Sequence, residues 1–309
     1  MGASPRHRPI DCKTIDGTII SAWLYEVKGP SPSPAIIMSH GFNCVKEMTL
    51  PEVAEGFHAR GYNVLLYDAR SVGGSEGQPR NLINPLQMAE DLSDIYTCVS
   101  RLSTVDSRSI VLWGMSFGGA VSATCAAVDR RAKAVIMMCP LFSYVKAEQA
   151  RVDRAFMQVV RDRVSQLRGN EAASIQPFTP DGDNGIGMGG AGGPGGVEAY
   201  QLMRAAIDKG AAGFRDRIAL QTYQKLALFR PTQYLDMVAV PTLLVIPESD
   251  DISPPQEQLD AFEKIRAPKK VHWAKGKTHL NVVSGEGSAA LLDMMDEFIR
   301  AVLQGESIE

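Results

Sequence analysis

The sequence predicts an α/β fold: a mostly parallel sheet flanked by helices on both faces, with an inserted helical cap. Three observations carry this. Short β-branched runs alternate with amphipathic stretches from Ala35 onward, the pattern of strands joined by crossover helices. The alternation breaks between Leu141 and Met237, where helical periods continue without a convincing strand, and then resumes to the end. At 309 residues with 45% hydrophobic and 22% charged residues, the chain can bury a large core and is not a disordered or fibrous protein.

The elements follow in order. Ile10 to Lys13 and Thr18 to Val27 flank Asp16-Gly17, a hairpin signal, so an antiparallel pair leads into the sheet. The parallel strands are expected at Ala35 to Met38, Asn63 to Tyr67, Ser109 to Trp113, Ala134 to Met138, Thr242 to Ile246 and Lys270 to Trp273. Helices are expected at Pro51 to Arg60, Pro85 to Leu102, Phe117 to Val128, Pro255 to Lys264 and Ser288 to Leu303. Residues 1–140 and 238–309 thus form a core and residues 141–237 a cap, with helical periods around Val145 to Arg168, Val197 to Lys209 and Phe214 to Leu228. Within the cap, Asp181 to Gly196 is so rich in glycine that it reads foremost as a surface linker, with a moving lid as the alternative.

Several function classes are excluded. Lys plus Arg (32) nearly balance Asp plus Glu (35), for a net charge of −3, and no basic stripe is present, which argues against nucleic acid as a partner. No apolar run is long enough to span a bilayer, and no signal-peptide segment follows the N-terminal arginines, so a cytoplasmic protein is expected. The five cysteines (Cys12, Cys44, Cys98, Cys125, Cys139) are scattered and contain no C-x-x-C pair, so free thiols are expected in place of zinc or disulfide frameworks.

The chemistry concentrates after the strand Ser109 to Trp113, where Gly114-Met115-Ser116-Phe117-Gly118-Gly119 runs into a small-residue helix. This is the context of a G-x-S-x-G nucleophile elbow: a strained turn that exposes the Ser116 hydroxyl, with glycines making room for strand and helix to approach. A hydroxyl needs a base. Of the five histidines, His7 lies in the polar N-terminus, His58 on a helix and His272 in a strand; these read as surface or packing residues. His279 follows the last strand and precedes the last helix, and is the expected base. An imidazole in turn needs a carboxylate to fix its tautomer. The turn after Thr242 to Ile246 offers three, with Asp250 the first choice and Glu248 and Asp251 its rivals. The turn Ser39-His40-Gly41-Phe42-Asn43 can aim a backbone N–H at a developing oxyanion, so the Phe42 and Phe117 N–H groups form the expected oxyanion hole. His40 is expected to hold that turn by hydrogen bonding.

With strand-HGF, GMSFGG, a late acidic turn and a late histidine loop, the chain order Ser, Asp, His resembles the α/β-hydrolase superfamily over nearly the whole chain outside Leu141 to Met237. Tyr67-Asp68-Ala69-Arg70-Ser71-Val72-Gly73-Gly74-Ser75-Glu76-Gly77 is similar to a D-x-R-G-x-G-x-S-x-G turn that is structural in that superfamily. Pro247 and Thr278 depart from its pattern, standing where glycines usually precede the acid and the histidine. More narrowly, SHGFNCVKEMTLPEVAEGF with YDARSVGGSEG resembles fungal polyketide-pathway hydrolases, thiohydrolases and acyltransferases among them. That resemblance implies a small-molecule polyketide acyl ester or thioester as substrate, a polyketide synthase acyl carrier as partner, and water or a hydroxyl as acceptor. It implies no metal and no organic cofactor. Phe142, Tyr144, Phe156, Met157, Tyr200 and Met203 are candidate acyl-pocket residues, each with plain helix packing as its alternative. The alternative reaction is a hydrolase-fold cyclase or lyase that uses His279 and the oxyanion hole without an acyl-enzyme.

Overall fold

The computed structural model describes residues 6–189 and 193–308. The apolar runs become a single eight-stranded sheet: β1 (Arg8–Lys13), β2 (Ile19–Tyr25), β3 (Ser33–Ser39), β4 (Asn63–Tyr67), β5 (Val105–Met115), β6 (Ala134–Met138), β9 (Thr242–Pro247) and β10 (Lys269–Ala274), in the order β1-β2-β4-β3-β5-β6-β9-β10. The β1–β2 and β2–β4 pairs are antiparallel and the rest parallel. All residues of β4, β6 and β9 are buried, which is why these strands read as continuous apolar runs without alternation: both faces of the sheet are covered.

Helices α2 (Pro85–Ser100), α3 (Phe117–Val128) and α7 (Pro255–Phe262) contribute to one core, which contains Leu92, Ile95, Val121 and Phe262. Helices α1 (Pro51–Ala59) and α8 (Ser288–Gln304) contribute to the other, which contains Phe57, Met295, Phe298 and the fully buried Trp113. Both α1 and α2 start with proline, whose missing N–H costs nothing at a helix N-terminus.

Between β6 and β9 lie α4 (Gln149–Leu167), β7 (Ser174–Ile175), α5 (Pro194–Asp208), β8 (Ile218–Ala219), α6 (Thr222–Leu228) and two 3₁₀ turns. Two expectations change here. The segment contains a short antiparallel β7–β8 pair where no strand was predicted; two residues per strand are too few to show a period. The glycine-rich stretch is also not a surface linker in its described part. Asn184, Ile186 and Met188 are buried, and α5 already begins at Pro194. The glycines permit close packing: a Cβ on Gly195 would lie 2.5 Å from the Asp251 carbonyl oxygen. Gly190, Ala191 and Gly192 lie outside the described residues.

All five cysteines are free, four of them buried and Cys98 half-buried. No helix among the described residues is long and apolar enough to cross a membrane.

Candidate active site

Four strand ends converge at the carboxyl edge of the sheet. Ser116 follows β5 with φ 55° and ψ −119°, a conformation costly for any residue with a side chain. It is held there from both sides: its N–H donates to the Met138 carbonyl at 2.8 Å, and its carbonyl accepts from Leu141 N–H at 3.1 Å. The two flanking glycines are sterically required. A Cβ on Gly114 would lie 2.2 Å from the Gly118 carbonyl oxygen, and one on Gly118 would lie 2.4 Å from both the Ser39 and His40 carbonyl oxygens. The second contact matters more for the site, because it brings the N-terminus of α3 against the loop after β3.

The loop after β10 places His279 Nε2 2.7 Å from Ser116 Oγ. The turn after β9 places Asp250 Oδ2 and Oδ1 at 2.8 and 2.9 Å from His279 Nδ1. Asp250 is itself fixed: its Oδ1 accepts from the N–H groups of Ile252 and Ser253, and its Oδ2 from Gln258 Nε2. The neighbouring acids turn elsewhere. Glu248 is exposed and accepts from Gly276 N–H at 2.9 Å, and Asp251 is exposed. Of the three carboxylates left open by the sequence, Asp250 is the one in contact with His279.

Burial by itself would lower the His279 pKa; the Cys139 sulfur and the Asp250 carboxylate raise it, and the net direction is upward. Burial pushes the Cys139 thiol up, so the sulfur is neutral at pH 7 and the carboxylate is the charge that stabilises an imidazolium there. Cys139 Sγ lies 4.0 Å from His279 Nε2 but is fully buried and does not line the cavity that Ser116 lines. Among the described residues, Cys139, Asp250 and His279 are the set whose donor types and spacing, within 4.8 Å, suit a metal. Both ring nitrogens of His279 are already engaged by Ser116 and Asp250, so the set fits a proton relay better than a metal site.

The Phe42 and Phe117 rings meet edge-to-face at 5.7 Å, and Phe42 lines the cavity beside Ser116. Phe117 is the first residue of α3, where the helix leaves its N–H without an intrahelical partner. The loop carrying Phe42 is anchored by a buried ion pair, Lys46 Nζ to Asp68 Oδ2 at 2.6 Å, with a second bond from Lys46 N–H to Asp68 Oδ1. Arg70 pairs with Asp91 and Asp16. Both conspicuous residues of the D-x-R turn therefore act in the scaffold. His40 departs from expectation: it is buried, neither ring nitrogen has a hydrogen-bond partner among the described residues, and burial lowers its pKa to about 4. The loop is held by Lys46 and Asp68 and not by this ring. His7 stacks on Trp23 at 4.0 Å, away from the site.

The cavity above Ser116 has a volume of about 60 Å³ and is lined by Phe178, Met188, Leu202, Met203 and Ile252. Of the six aromatic and methionine candidates, Met203 alone lines it. Phe142 and Tyr144 are buried in the core, Tyr144 edge-on to Phe117, while Met157 is 52% exposed on α4. Phe178 and Met188 went unrecognised because they flank the glycine-rich stretch or lie within it, where no helical period marks an inward face. For Met188 the signal was a large apolar side chain in an otherwise glycine-rich run.

The family described as serine aminopeptidase, S33 matches residues 30–283. A thiohydrolase of Eupenicillium brefeldianum is 38% identical over 96% of this chain and 94% of its own length. The polyketide transferase claH of Penicillium crustosum is 34% identical over 97% and 98%. Among solved structures, that of DcsB in complex with its substrate analogue superposes with a TM-score of 0.91 at 57% identity, covering 95% of this chain and 99% of that one. The α/β hydrolase GrgF of Penicillium sp. sh18 gives 0.85 at 31% identity, covering 96% and 99%. With the sheet order, the strained serine and these relatives in agreement, the chain belongs to the α/β-hydrolase superfamily and is an enzyme of the branch that contains fungal thiohydrolases and polyketide transferases.

Proposed function

We propose that the protein transfers the acyl group of a polyketide ester or thioester through a covalent intermediate on Ser116. The observation that carries this is the continuous hydrogen-bonded line from Ser116 Oγ through both nitrogens of His279 to Asp250, at 2.7 and 2.8 Å. His279 Nε2 takes the Ser116 proton as Oγ attacks the acyl carbonyl carbon, and Asp250 holds the resulting imidazolium. The Phe42 and Phe117 N–H groups receive the oxyanion. As the tetrahedral intermediate collapses, the C–S or C–O bond breaks and His279 returns its proton to the leaving thiol or alcohol. Water or a second hydroxyl, deprotonated by the same imidazole, then attacks the acyl-Ser116 ester and frees the serine.

The names of the relatives, thiohydrolase and polyketide transferase, support this substrate class and both acceptors. In this reading residues 1–140 and 238–309 supply the chemistry, and the cap, residues 141–237, selects the acyl group. A polyketide synthase acyl carrier is the partner that would present the thioester.

A fluorophosphonate probe with peptide mass spectrometry tests the mechanism. Covalent labelling of Ser116, together with a loss of turnover on the order of 10⁶-fold in Ser116→Ala and in His279→Ala, is the expected result. Turnover of Ser116→Ala within tenfold of the parent would replace the acyl-enzyme with proton chemistry by His279.

A further inference from the structure

One side of α2 lies against the hairpin of β1 and β2 and touches it at successive turns. Asp91 pairs with Arg70, which also holds Asp16 in the hairpin turn. One turn further along α2, Asp94 accepts from Ile15 N–H at 2.8 Å. At the next turn Cys98 Sγ meets Cys12 Sγ at 2.6 Å. Spacings of three and four residues place Asp91, Asp94 and Cys98 on the same side of the helix, so the meeting of the two sulfurs follows from how α2 docks on the hairpin. Their separation is well inside van der Waals contact, and the two backbones therefore already hold the sulfurs within bonding reach.

The two thiols differ in access and in charge. β1 is the edge strand of the sheet and Cys12 is its one buried residue, whereas Cys98 is half-buried and open to a small reagent. Cys12 S–H donates to the Cys98 sulfur, which lowers the Cys98 pKa against the opposing effect of burial, and the charge of Arg101 acts in the same direction. The other sulfurs are shielded: burial pushes the Cys44 and Cys125 thiols up to about 12 and raises that of Cys139 as well. Of the five cysteines, Cys98 thus combines access with thiolate character, and a second thiol lies against it.

We propose that Cys98 and Cys12 form a redox pair, a covalent modification site that takes a hydroperoxide and closes a disulfide between α2 and β1. The Cys98 thiolate attacks a peroxide oxygen; an S–O bond forms as the O–O bond breaks, and the departing oxygen takes up the proton that Cys98 released, leaving as water or an alcohol. The Cys12 sulfur then attacks the Cys98 sulfur. The S–S bond forms, the S–O bond breaks, and the oxygen departs as water with the Cys12 proton. Two thiols have lost two electrons and one hydroperoxide has gained them. The bond ties the edge strand to the core across 86 positions of the chain, which restricts the unfolded state. Neither cysteine lines the cavity above Ser116, so the modification acts on the scaffold and leaves that cavity untouched.

The test treats the folded, reduced full chain with equimolar hydrogen peroxide, then denatures it and counts thiols. A loss of two from the five present is expected, with a Cys12–Cys98 linked peptide in the non-reducing digest. Cys12→Ser should leave Cys98 as a sulfenic acid that dimedone captures, and Cys98→Ser should leave Cys12 a thiol, since the accessible sulfur is gone. The oxidised wild type should unfold roughly 5 °C or more above the reduced protein, a gain that dithiothreitol reverses and that both single variants lack. The thiol count and the linked peptide are read on the wild type, so they decide even if a variant fails to fold. Consumption of the peroxide with Cys12 still a thiol overturns the proposal. So does linkage of Cys98 to another cysteine or to a second molecule, and so does a linked pair that unfolds no higher than the reduced protein.

Discussion

Glu198 on α5 accepts hydrogen bonds from Thr278 Oγ1 at 3.0 Å and from Leu280 N–H at 3.4 Å, so one carboxylate brackets His279 on both sides. Thr278 stands where a glycine was expected from the superfamily pattern, and its hydroxyl accounts for the departure: it ties the segment between β6 and β9 to the histidine loop. Glu198→Ala removes both bonds, each worth roughly 1 kcal/mol. The expected outcome is a drop in kcat/KM of about tenfold for a long acyl thioester, with Glu198→Gln recovering most of it. Equal efficiency in all three proteins would make the contact incidental.

Asp250 and its neighbours test the acid. Asp250→Asn should lower turnover on the order of 10⁴-fold, because the amide cannot hold His279 in the required tautomer or stabilise its charge. Glu248→Gln and Asp251→Asn, whose carboxylates are exposed and do not contact His279, should stay within about threefold. Kinetics on the three single variants decide the matter; a larger loss at Glu248 or Asp251 would displace Asp250.

The pH profile follows from the direction of the His279 shift. The base must be neutral to take the serine proton, and its folded-state pKa is raised above 6.5, so kcat/KM should climb with pH through that raised value and fall off on the acid side. Asp250→Asn removes the charge that stabilises the imidazolium, so the acid limb should move to lower pH while the plateau drops. An acid limb that stays in place in the variant would mean that another group controls it.

Met188 and Met203 line the cavity above Ser116, so in the acyl-transfer reading their side chains would set which acyl chain enters. Met188→Ala should raise the ratio of kcat/KM for a long-chain thioester over an acetyl ester by several-fold, because shortening a side chain that lines the cavity enlarges the space beside Ser116. The ratio is measured on protein whose thermal unfolding shows it to be folded, because truncating a buried methionine costs about 2–5 kcal/mol. An unchanged ratio would move selectivity to Phe178 and Leu202.

The sheet and the position of the serine were legible because their signals are local. An apolar run such as Asn63 to Tyr67 is buried on both faces wherever it sits, and Gly114-Met115-Ser116-Phe117-Gly118 encodes its turn through the absence of Cβ atoms at two fixed positions. The order of Ser116, an acidic turn and His279 along the chain likewise needs no distant contact to be read. The ring of His40 shows the limit of such reasoning: a histidine in a polar turn promised hydrogen bonds, and packing buried it without any partner among the described residues.

The sequence by itself thus determined the layered fold, the elbow and the histidine loop, since each is written in residues close together in the chain. Tertiary structure alone decided that Asp250, and neither Glu248 nor Asp251, meets His279, because three acids in one turn differ only in the direction their side chains are turned by Ile252, Ser253 and Gln258. It also decided that Met188, from a glycine-rich run without period, lines the cavity beside Ser116. Glycine puts no side chain in the way, so the course of that run is set by what it packs against, and those surfaces come from remote parts of the chain.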